Sequence, residues 1–361
     1  MAAFHRLIVA DVRRETADAV SVGFAVPPEL AAAYRFQPGQ HLTLKCVIDG
    51  VEQRRSYSIC SGIDEGHLRI AVKRQPGGKV SGWINRDLRA GDAIEVMTPT
   101  GRFTLPLDAE AARNYVALAA GSGITPVIGL LKSVLGREAK SRFLLVYGNR
   151  SAASILFREE LEDLKNRHMT RLTLLHVLSA EDQDSPLLTG RIEPGTLLAM
   201  QGRLYDPAAV ERFLLCGPRP MIETLAEALA TQGVERRRIL SEHFVTPGEE
   251  GALPVPRPTL PEAARRHGLA RIVIVKDGRR SEFAMGFEGE SIVDAARRHG
   301  HELPFSCKSG VCSTCRCKKR AGEVSMARNY ALEPWELEAG FVLACQSRPA
   351  SELVELDFDT A

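Results

Sequence analysis

The chain has 361 residues, 44% of them hydrophobic and 25% charged, which suits two or three globular domains of ordinary composition. A formal net charge of +2 excludes a strongly basic binder of nucleic acid or anionic membrane. The opening Met1-Ala-Ala-Phe-His-Arg leads into a strand-like run rather than a signal core, and the longest uncharged run, Asn114 to Leu131, is broken by three glycines and a proline, so no bilayer span is expected.

The first hundred or so residues read as short strands. Val20, Val22, Phe24 and Val26 alternate with small or polar residues, as do Leu42, Leu44, Cys46 and Ile48, and later Leu68, Ile70 and Val72. Turn signals at Pro27-Pro28, Pro38-Gly39, Asp49-Gly50, Pro76-Gly77-Gly78 and Ala90-Gly91-Asp92 separate them, which predicts an antiparallel barrel. Arg54-Arg55-Ser56-Tyr57-Ser58-Ile59 sets charge, an aromatic ring and hydroxyls side by side on one strand; taken alone it also fits a half-exposed strand. Gly77-Gly78-Lys79-Val80-Ser81 reads either as a plain turn or as a helix start whose N–H groups and Ser81 face an anion.

From Tyr115 the pattern becomes strand, glycine loop, helix. Val116 to Ala120 is apolar, Gly121-Ser122-Gly123-Ile124-Thr125-Pro126 follows, and Val127, Leu130, Leu131 and Val134 form a helical stripe. Thr125 fits an N-cap and Pro126 the first helical position, leaving free N–H groups beside a loop without bulk. Strands at Phe143 to Tyr147, Leu172 to Val177 and Phe213 to Cys216, with a helix over about Ile155 to Asn166, predict a parallel sheet covered by helices on both faces. Its ligand edge would carry the glycine loop, Tyr147-Gly-Asn-Arg150 and Cys216-Gly-Pro218. Where an NAD site typically shows an acid for the ribose, the chain has Asn149, Arg150 and Ser151, which favours NADPH over NADH.

Prolines at 247, 254, 256, 258 and 261 mark an interdomain linker, semi-rigid where they cluster. Beyond it, Arg271 to Val275 and Ser281 to Phe287 read as a hairpin and Ser291 to His299 as a helix capped by Ser291. Cys307-Lys-Ser-Gly-Val-Cys312-Ser-Thr-Cys315, with Cys345 after 29 intervening residues, has the C-x4-C-x2-C…C spacing of a plant-type [2Fe–2S] cluster. A structural zinc site, or four unrelated buried thiols, are the other readings of these cysteines. Cys317 is taken as a non-ligand. Arg316, Lys318, Lys319 and Arg320 around it would favour its thiolate, and form either a docking face for an acidic partner or a solvated surface. Cys46, Cys60, Cys216 and Cys317 form no disulfide framework, which fits a cytoplasmic protein.

Arg55-Ser-Tyr-Ser, Gly78-Lys-Val-Ser, Gly121-Ser-Gly-Ile-Thr-Pro and Cys216-Gly-Pro, in this order and ahead of the cysteine pattern, resemble the ferredoxin–NADP reductase superfamily in its fused oxygenase-reductase form. The resemblance implies an antiparallel barrel binding FAD over 1–110, an α/β nucleotide domain over 111–246, a linker over 247–268 and a β-grasp ferredoxin domain over 269–361. It implies that Arg55, Ser56, Tyr57 and Ser58 hold the flavin, Tyr57 against its ring and Arg55 on its pyrophosphate, with Lys73, Gly78, Lys79, Val80 and Ser81 on the same group. Gly121, Thr125, Pro126 and Arg150 would face the nicotinamide nucleotide. Cys216, Gly217 and Pro218 would sit by the nicotinamide, and Glu242 and Phe244 near the flavin. Tyr57, Ser58, Cys216 and Glu242 are the implied catalytic group, and Cys307, Cys312, Cys315 and Cys345 the cluster ligands.

The ending Gly322-Glu-Val-Ser-Met, Asn329-Tyr-Ala-Leu and Gly340-Phe-Val-Leu-Ala-Cys-Gln-Ser-Arg-Pro resembles the reductase components of bacterial phenylacetyl-CoA epoxidases; reductases of 3-ketosteroid and other Rieske oxygenases share the domain order. The resemblance implies electrons passing from NADPH through the flavin and the cluster to an oxygenase partner, with the linker letting the cluster domain swing. A zinc-holding binding module and a reductase that releases reduced flavin are the readings from other classes.

Overall fold

The computed structural model describes residues 3–244 and 268–360, which belong to two compact units divided after Phe244. The proline-rich segment, up to residue 267, lies outside the described residues. In the first unit, β1 (Phe4–Thr16), β2 (Ala19–Ala25), β3 (His41–Ile48), β4 (Val51–Ser58), β5 (Leu68–Lys73) and β6 (Ala93–Met97) form an antiparallel sheet in the order β4-β3-β6-β1-β2-β5. A bridge between Ile59 and Ile70 joins its two edges and closes the barrel. Alternation decides which side chains enter: Leu7 and Val9 are buried while Arg6 and Ile8 face outward. Helix α1 (Lys79–Arg86) adds Val80 and Ile84 to that core.

The second half of this unit holds β7 (Asn114–Ala120), α2 (Ile124–Arg137), β8 (Arg142–Asn149), α3 (Arg158–Arg167), β9 (Leu172–Leu178), α4 (Pro194–Met200), β10 (Val210–Gly217), α5 (Arg219–Thr231) and β11 (Ile239–His243). All five strands are parallel, in the order β11-β10-β7-β8-β9. The central strands β7, β8 and β10 carry continuous apolar runs because helices cover both faces, while the edge strand β11 carries Ser241, Glu242 and His243. Tyr115, Ala117 and Ala119 pack toward α2 and α3, and Val116 and Leu118 toward α4 and α5. The core under α2 continues into the barrel through Cys60, Ala71, Phe103 and Leu105. At Gly129 any Cβ would stand 2.8 Å from the Ile59 carbonyl oxygen, so α2 lies directly on the barrel backbone. Lys132, 7% exposed, fastens the same seam with ion pairs to Glu65 (3.1 Å) and Glu160 (2.7 Å).

The second unit has β12 (Ala270–Lys276) and β13 (Arg279–Met285) as a hairpin, α6 (Ile292–Arg298), β14 (Arg316–Ala321), β15 (Val324–Met326), α7 (Pro334–Glu338), β16 (Phe341–Leu343), β17 (Ser347–Pro349) and β18 (Leu353–Asp357). Its main sheet runs β13-β12-β18-β14-β16, with β12 and β18 parallel and the other pairs antiparallel. Helix α6, capped by Ser291 whose oxygen accepts from the Asp294 N–H at 3.3 Å, packs on one core with Ile272, Phe283 and Leu356. This is the expected β-grasp arrangement.

Candidate functional site

Strand β4 delivers the Arg55 to Ser58 motif. Alternation puts Arg55 and Tyr57 on one face and Ser56 and Ser58 on the other. Arg55 is exposed, with Nη1 donating to the Arg54 carbonyl at 2.7 Å, and burial pushes the half-buried Tyr57 phenol well above its ordinary value. Ser58 is buried and its Oγ donates to Glu242 Oε2 at 3.0 Å, across 184 residues of sequence. Glu242 lies on β11 with Cys216 as its neighbour on β10. Burial raises the Glu242 carboxyl from 4.5 to about 7 against the opposing pull of the Ser58 hydrogen bond, and raises the fully buried Cys216 thiol well above 9. Ser58, Cys216 and Glu242 thus meet as a hydroxyl, a protonated thiol and a carboxyl that titrates near neutrality.

The sheet order reverses between β7 and β10, so the crevice at their carboxyl ends is where an open α/β sheet takes its ligand. The glycine loop and Cys216-Gly217-Pro218 face each other there. Any Cβ on Gly123 would stand 2.1 Å from the Cys216 carbonyl oxygen, so that position requires glycine, while one on Gly217 would stand 2.7 Å from Met221 Cε, a side-chain end that can move aside. Gly121 adopts φ +53°, and its carbonyl accepts from the Tyr147 hydroxyl at 2.9 Å. Thr125 is not the N-cap that its place before Pro126 predicts. A 3-10 turn over Gly121–Gly123 runs straight into α2, so the helix begins at Ile124 with Gly123 at its cap; Thr125 lies inside the first turn and its Oγ1 donates to the Ser122 carbonyl at 3.0 Å. Pro126 is buried in the same turn, Pro218 caps α5, and Phe244, next but one to Glu242, packs half-buried on the core under α2.

A cleft of about 1030 Å³ brings together Lys73, Gly78 and Lys79 from the barrel with Arg150 and Ser151 from the loop after β8. Gly78 caps α1, and a Cβ there would meet Ser81 Oγ at 2.5 Å. Ser81 is occupied in shaping the loop, its hydroxyl accepting from the Gln75 N–H at 3.1 Å and donating to the Gly78 carbonyl at 3.3 Å. Val80 turns its side chain into the barrel core, so only its backbone is available to a ligand. The free N–H groups at the start of α1 in a concave, cation-rich cleft fit the diphosphate of a dinucleotide.

In the second unit, Cys307 and Cys312 stand within hydrogen-bonding reach of one another, and so do Cys315 and Cys345. Among the described residues no three His, Cys, Asp or Glu side chains gather closely enough for a single metal ion. Two thiol pairs suit a cluster of two irons, each taking two thiolates, rather than one tetrahedral zinc. The winding of the loop turns its backbone toward the thiols: Lys308 (φ 51°), Gly310 (φ 80°) and Ser313 (φ 54°) are left-handed, and the Ser309 N–H donates to Cys307 Sγ at 3.3 Å. Gln346, which no sequence motif marks as a site residue, donates through Nε2 to the Lys308 carbonyl at 2.8 Å and to Cys345 Sγ at 3.4 Å, tying the fourth cysteine to the loop. Its signal was only its place next to Cys345.

Cys317 departs from the reading of its neighbours. It is fully buried on β14, and burial drives its thiol far above its ordinary value, so the nearby cations do not produce a thiolate. Those cations also have partners on this unit: Arg316 with Glu336 (2.7 Å), Lys319 with Glu323 (2.6 Å), Arg320 with Asp357 (2.8 Å) and Lys318 over the Phe341 ring.

Family models match as an oxidoreductase FAD-binding domain over residues 7–105, an oxidoreductase NAD-binding domain over 117–227 and a 2Fe-2S iron–sulfur cluster binding domain over 275–350. The chain is 43% identical over 359 residues to a subunit of the 1,2-phenylacetyl-CoA epoxidase of Escherichia coli (strain K12), covering 99% of each chain. It is 34% identical over 355 residues to the ferredoxin reductase component of 3-ketosteroid-9-alpha-monooxygenase of Rhodococcus rhodochrous, covering 98% of this chain and 96% of that one. Among solved structures, phthalate dioxygenase reductase, described as modular for electron transfer from pyridine nucleotides to [2Fe–2S], aligns with a TM-score of 0.58 at 25% identity over 99% of this chain and 98% of that one.

Proposed function

Because the chain belongs to the family of oxygenase reductases that carry FAD-binding, NAD-binding and 2Fe-2S domains on one polypeptide, we propose that it takes electrons from NADPH and delivers them singly to an oxygenase, the phenylacetyl-CoA epoxidase. The flavin and iron–sulfur oxidoreductase chemistry follows from the family. The choice of epoxidase rests on the 43% identity to the epoxidase component, against 34% for the 3-ketosteroid reductase component. The choice of NADPH rests on Arg150 and Ser151 after β8, where an acid would serve a ribose hydroxyl. We take residues 1–110 as the FAD domain, 111–246 as the nucleotide domain and 269–361 as the cluster domain, joined by 247–268. Eight cysteines without a disulfide, and no described helix long and apolar enough to cross a membrane, support a cytoplasmic setting.

The observation that carries this reading is the Ser58–Glu242 hydrogen bond beside Cys216, which joins the barrel to the nucleotide crevice. Bound flavin and cluster would supply uptake of a hydride's electron pair and its release one electron at a time. Tyr57 and Arg55, on one face of β4, would hold the flavin ring and diphosphate, with Lys73 and the start of α1, Gly78 to Ser81, on the diphosphate. Gly121, Thr125 and Pro126 would cradle the nicotinamide nucleotide. Cys216, Gly217 and Pro218 would form the wall that presses the nicotinamide toward the barrel and excludes water, with Phe244 closing the side near Glu242. Ser58 Oγ would carry a proton to or from Glu242 Oε2, which can hold or release it near neutral pH. Cys307, Cys312, Cys315 and Cys345 would hold the cluster.

Anaerobic purification, counting of iron and sulfide, and titration with NADPH and separately with NADH test the reading. About two irons per chain, with flavin bleaching before the cluster and NADPH the faster donor, are expected. A colourless protein carrying one zinc overturns it, and a faster reaction with NADH overturns the nucleotide choice.

A further inference from the structure

The cleft that holds the start of α1 contains more positive charge than its own carboxylates neutralise. Asp18 pairs with Lys73 (3.6 Å), Asp49 with Lys79 (3.4 Å), and Arg86 is bound by its neighbour Asp87 (2.8 Å). Two cations of the cleft, Arg74 and Arg150, have no side-chain hydrogen bond or ion pair among the described residues. They come from different walls. Arg74 follows β5 on the barrel, where its N–H is anchored to the Asp18 carbonyl at 2.7 Å; Arg150 follows β8, where its carbonyl accepts from the Ala180 N–H at 2.8 Å. Both backbones are therefore fixed while both guanidinium groups remain available. An unpaired arginine on a convex surface is ordinary. Two of them lining one concave cleft from different elements raise the local potential, and the guanidinium fork matches a phosphate.

We propose that Arg74 and Arg150 together form a phosphate clamp for the 2′-phosphate of NADPH, so that a barrel residue, Arg74, helps to set nucleotide specificity. This rests on the NADPH reading above but adds a residue from the other domain. The start of α1 and Lys79 serve the diphosphate of the flavin and the glycine loop serves the nicotinamide nucleotide, which leaves the 2′-phosphate of NADPH with Arg150 alone until Arg74 is added. Ser151 Oγ and Ser154 Oγ are taken up with each other's backbone in a capping box and do not supply the missing charge.

The test uses the flavin-loaded, full-length protein and two dead-end probes, 2′,5′-ADP and 5′-AMP, with binding measured by calorimetry. In the wild type, 2′,5′-ADP is expected to bind more tightly than 5′-AMP. Arg74→Ala and Arg150→Ala are each expected to weaken 2′,5′-ADP about tenfold, to leave 5′-AMP unchanged and to retain the flavin through gel filtration. Arg86→Ala, whose charge Asp87 already meets, is expected to leave both probes unchanged. If Arg74→Ala leaves 2′,5′-ADP binding intact while Arg150→Ala weakens it, the clamp is wrong and the NADPH reading stands. If the wild type binds both probes equally, both fail. Loss of flavin from Arg74→Ala would assign that arginine to the flavin diphosphate and overturn the clamp, as would an equal weakening by Arg86→Ala.

Discussion

Glu242 shows how one residue couples position to pH. Its carboxyl is raised from 4.5 to about 7 because burial penalises the ionised form. A raised carboxylate means the folded protein holds more protons than the unfolded chain between those two values, so stability is lost as pH climbs through that window and the full loss is reached above 7. Glu242→Gln removes the charge and keeps the acceptor for Ser58. Thermal melts should show the variant more stable than the wild type by about 2 kcal/mol at pH 8 and equal to it at pH 4. Turnover should respond in the opposite sense: a titrating Glu242 gives the wild type an inflection near pH 7, and the variant should be slower with a flat profile through that region. An unchanged inflection in Glu242→Gln would assign it to another group. The cysteines of the second unit give a second residue-scale contrast. Cys345→Ser should lose the visible signature of the cluster, whereas Cys317→Ala, which removes a fully buried thiol whose Sγ donates to the Val342 carbonyl, should keep it and cost about 1 kcal/mol of stability. Loss of iron from Cys317→Ala would make it a ligand.

At the scale of elements, the crossing of the glycine turn over β10 determines whether the crevice exists. Gly123→Ala would drive a methyl group into the Cys216 carbonyl, a contact of 2.1 Å that only a shift of α2 or β10 can relieve. The expected cost is about 1–3 kcal/mol in urea unfolding, with a raised KM for the nicotinamide nucleotide. Gly136→Ala, where a Cβ meets nothing within 4 Å inside the same helix, is the control that should leave KM unchanged and raise stability by about 0.5–1 kcal/mol. The same elements show what a sequence can convey. Strand alternation and the change from period two to apolar runs announced the barrel and the parallel sheet, because burial on one face or two leaves that trace. The 3-10 turn before α2 left none, since Thr125-Pro126 is an equally good helix start when read locally. The pairing of Ser58 with Glu242 was legible as two motifs but not as a bond, because the parallel register of β10 and β11 is what carries Glu242 to the barrel. Cys317 misled for the inverse reason: its immediate neighbours Arg316 and Lys318 stand on the other face of β14, over the Phe341 ring.

The whole molecule divides its work between units that each enclose their own core. Residues 3–244 enclose a barrel core and one core on each face of the parallel sheet, the one under α2 drawing Cys60, Ala71, Phe103 and Leu105 from the barrel half, and residues 268–360 enclose another built from their own strands and helices. Buried apolar area is the main favourable contribution to folding, and among the described residues each unit has a core of its own. A chain ending after residue 244 should therefore fold cooperatively, retain flavin and reduce ferricyanide with NADPH at a rate near that of the full protein. It should deliver no electrons to the oxygenase, because the four cysteines are gone. Stopped-flow absorbance at the flavin band, with ferricyanide or the oxygenase as alternative acceptors, separates the two steps. A truncated chain that still drives the oxygenase would show that the flavin reaches the partner directly and that the cysteine loop lies off the electron path. A truncated chain that folds but no longer oxidises NADPH would show that the nucleotide crevice is completed by the second unit, against the self-contained site that Ser58, Cys216 and Glu242 describe.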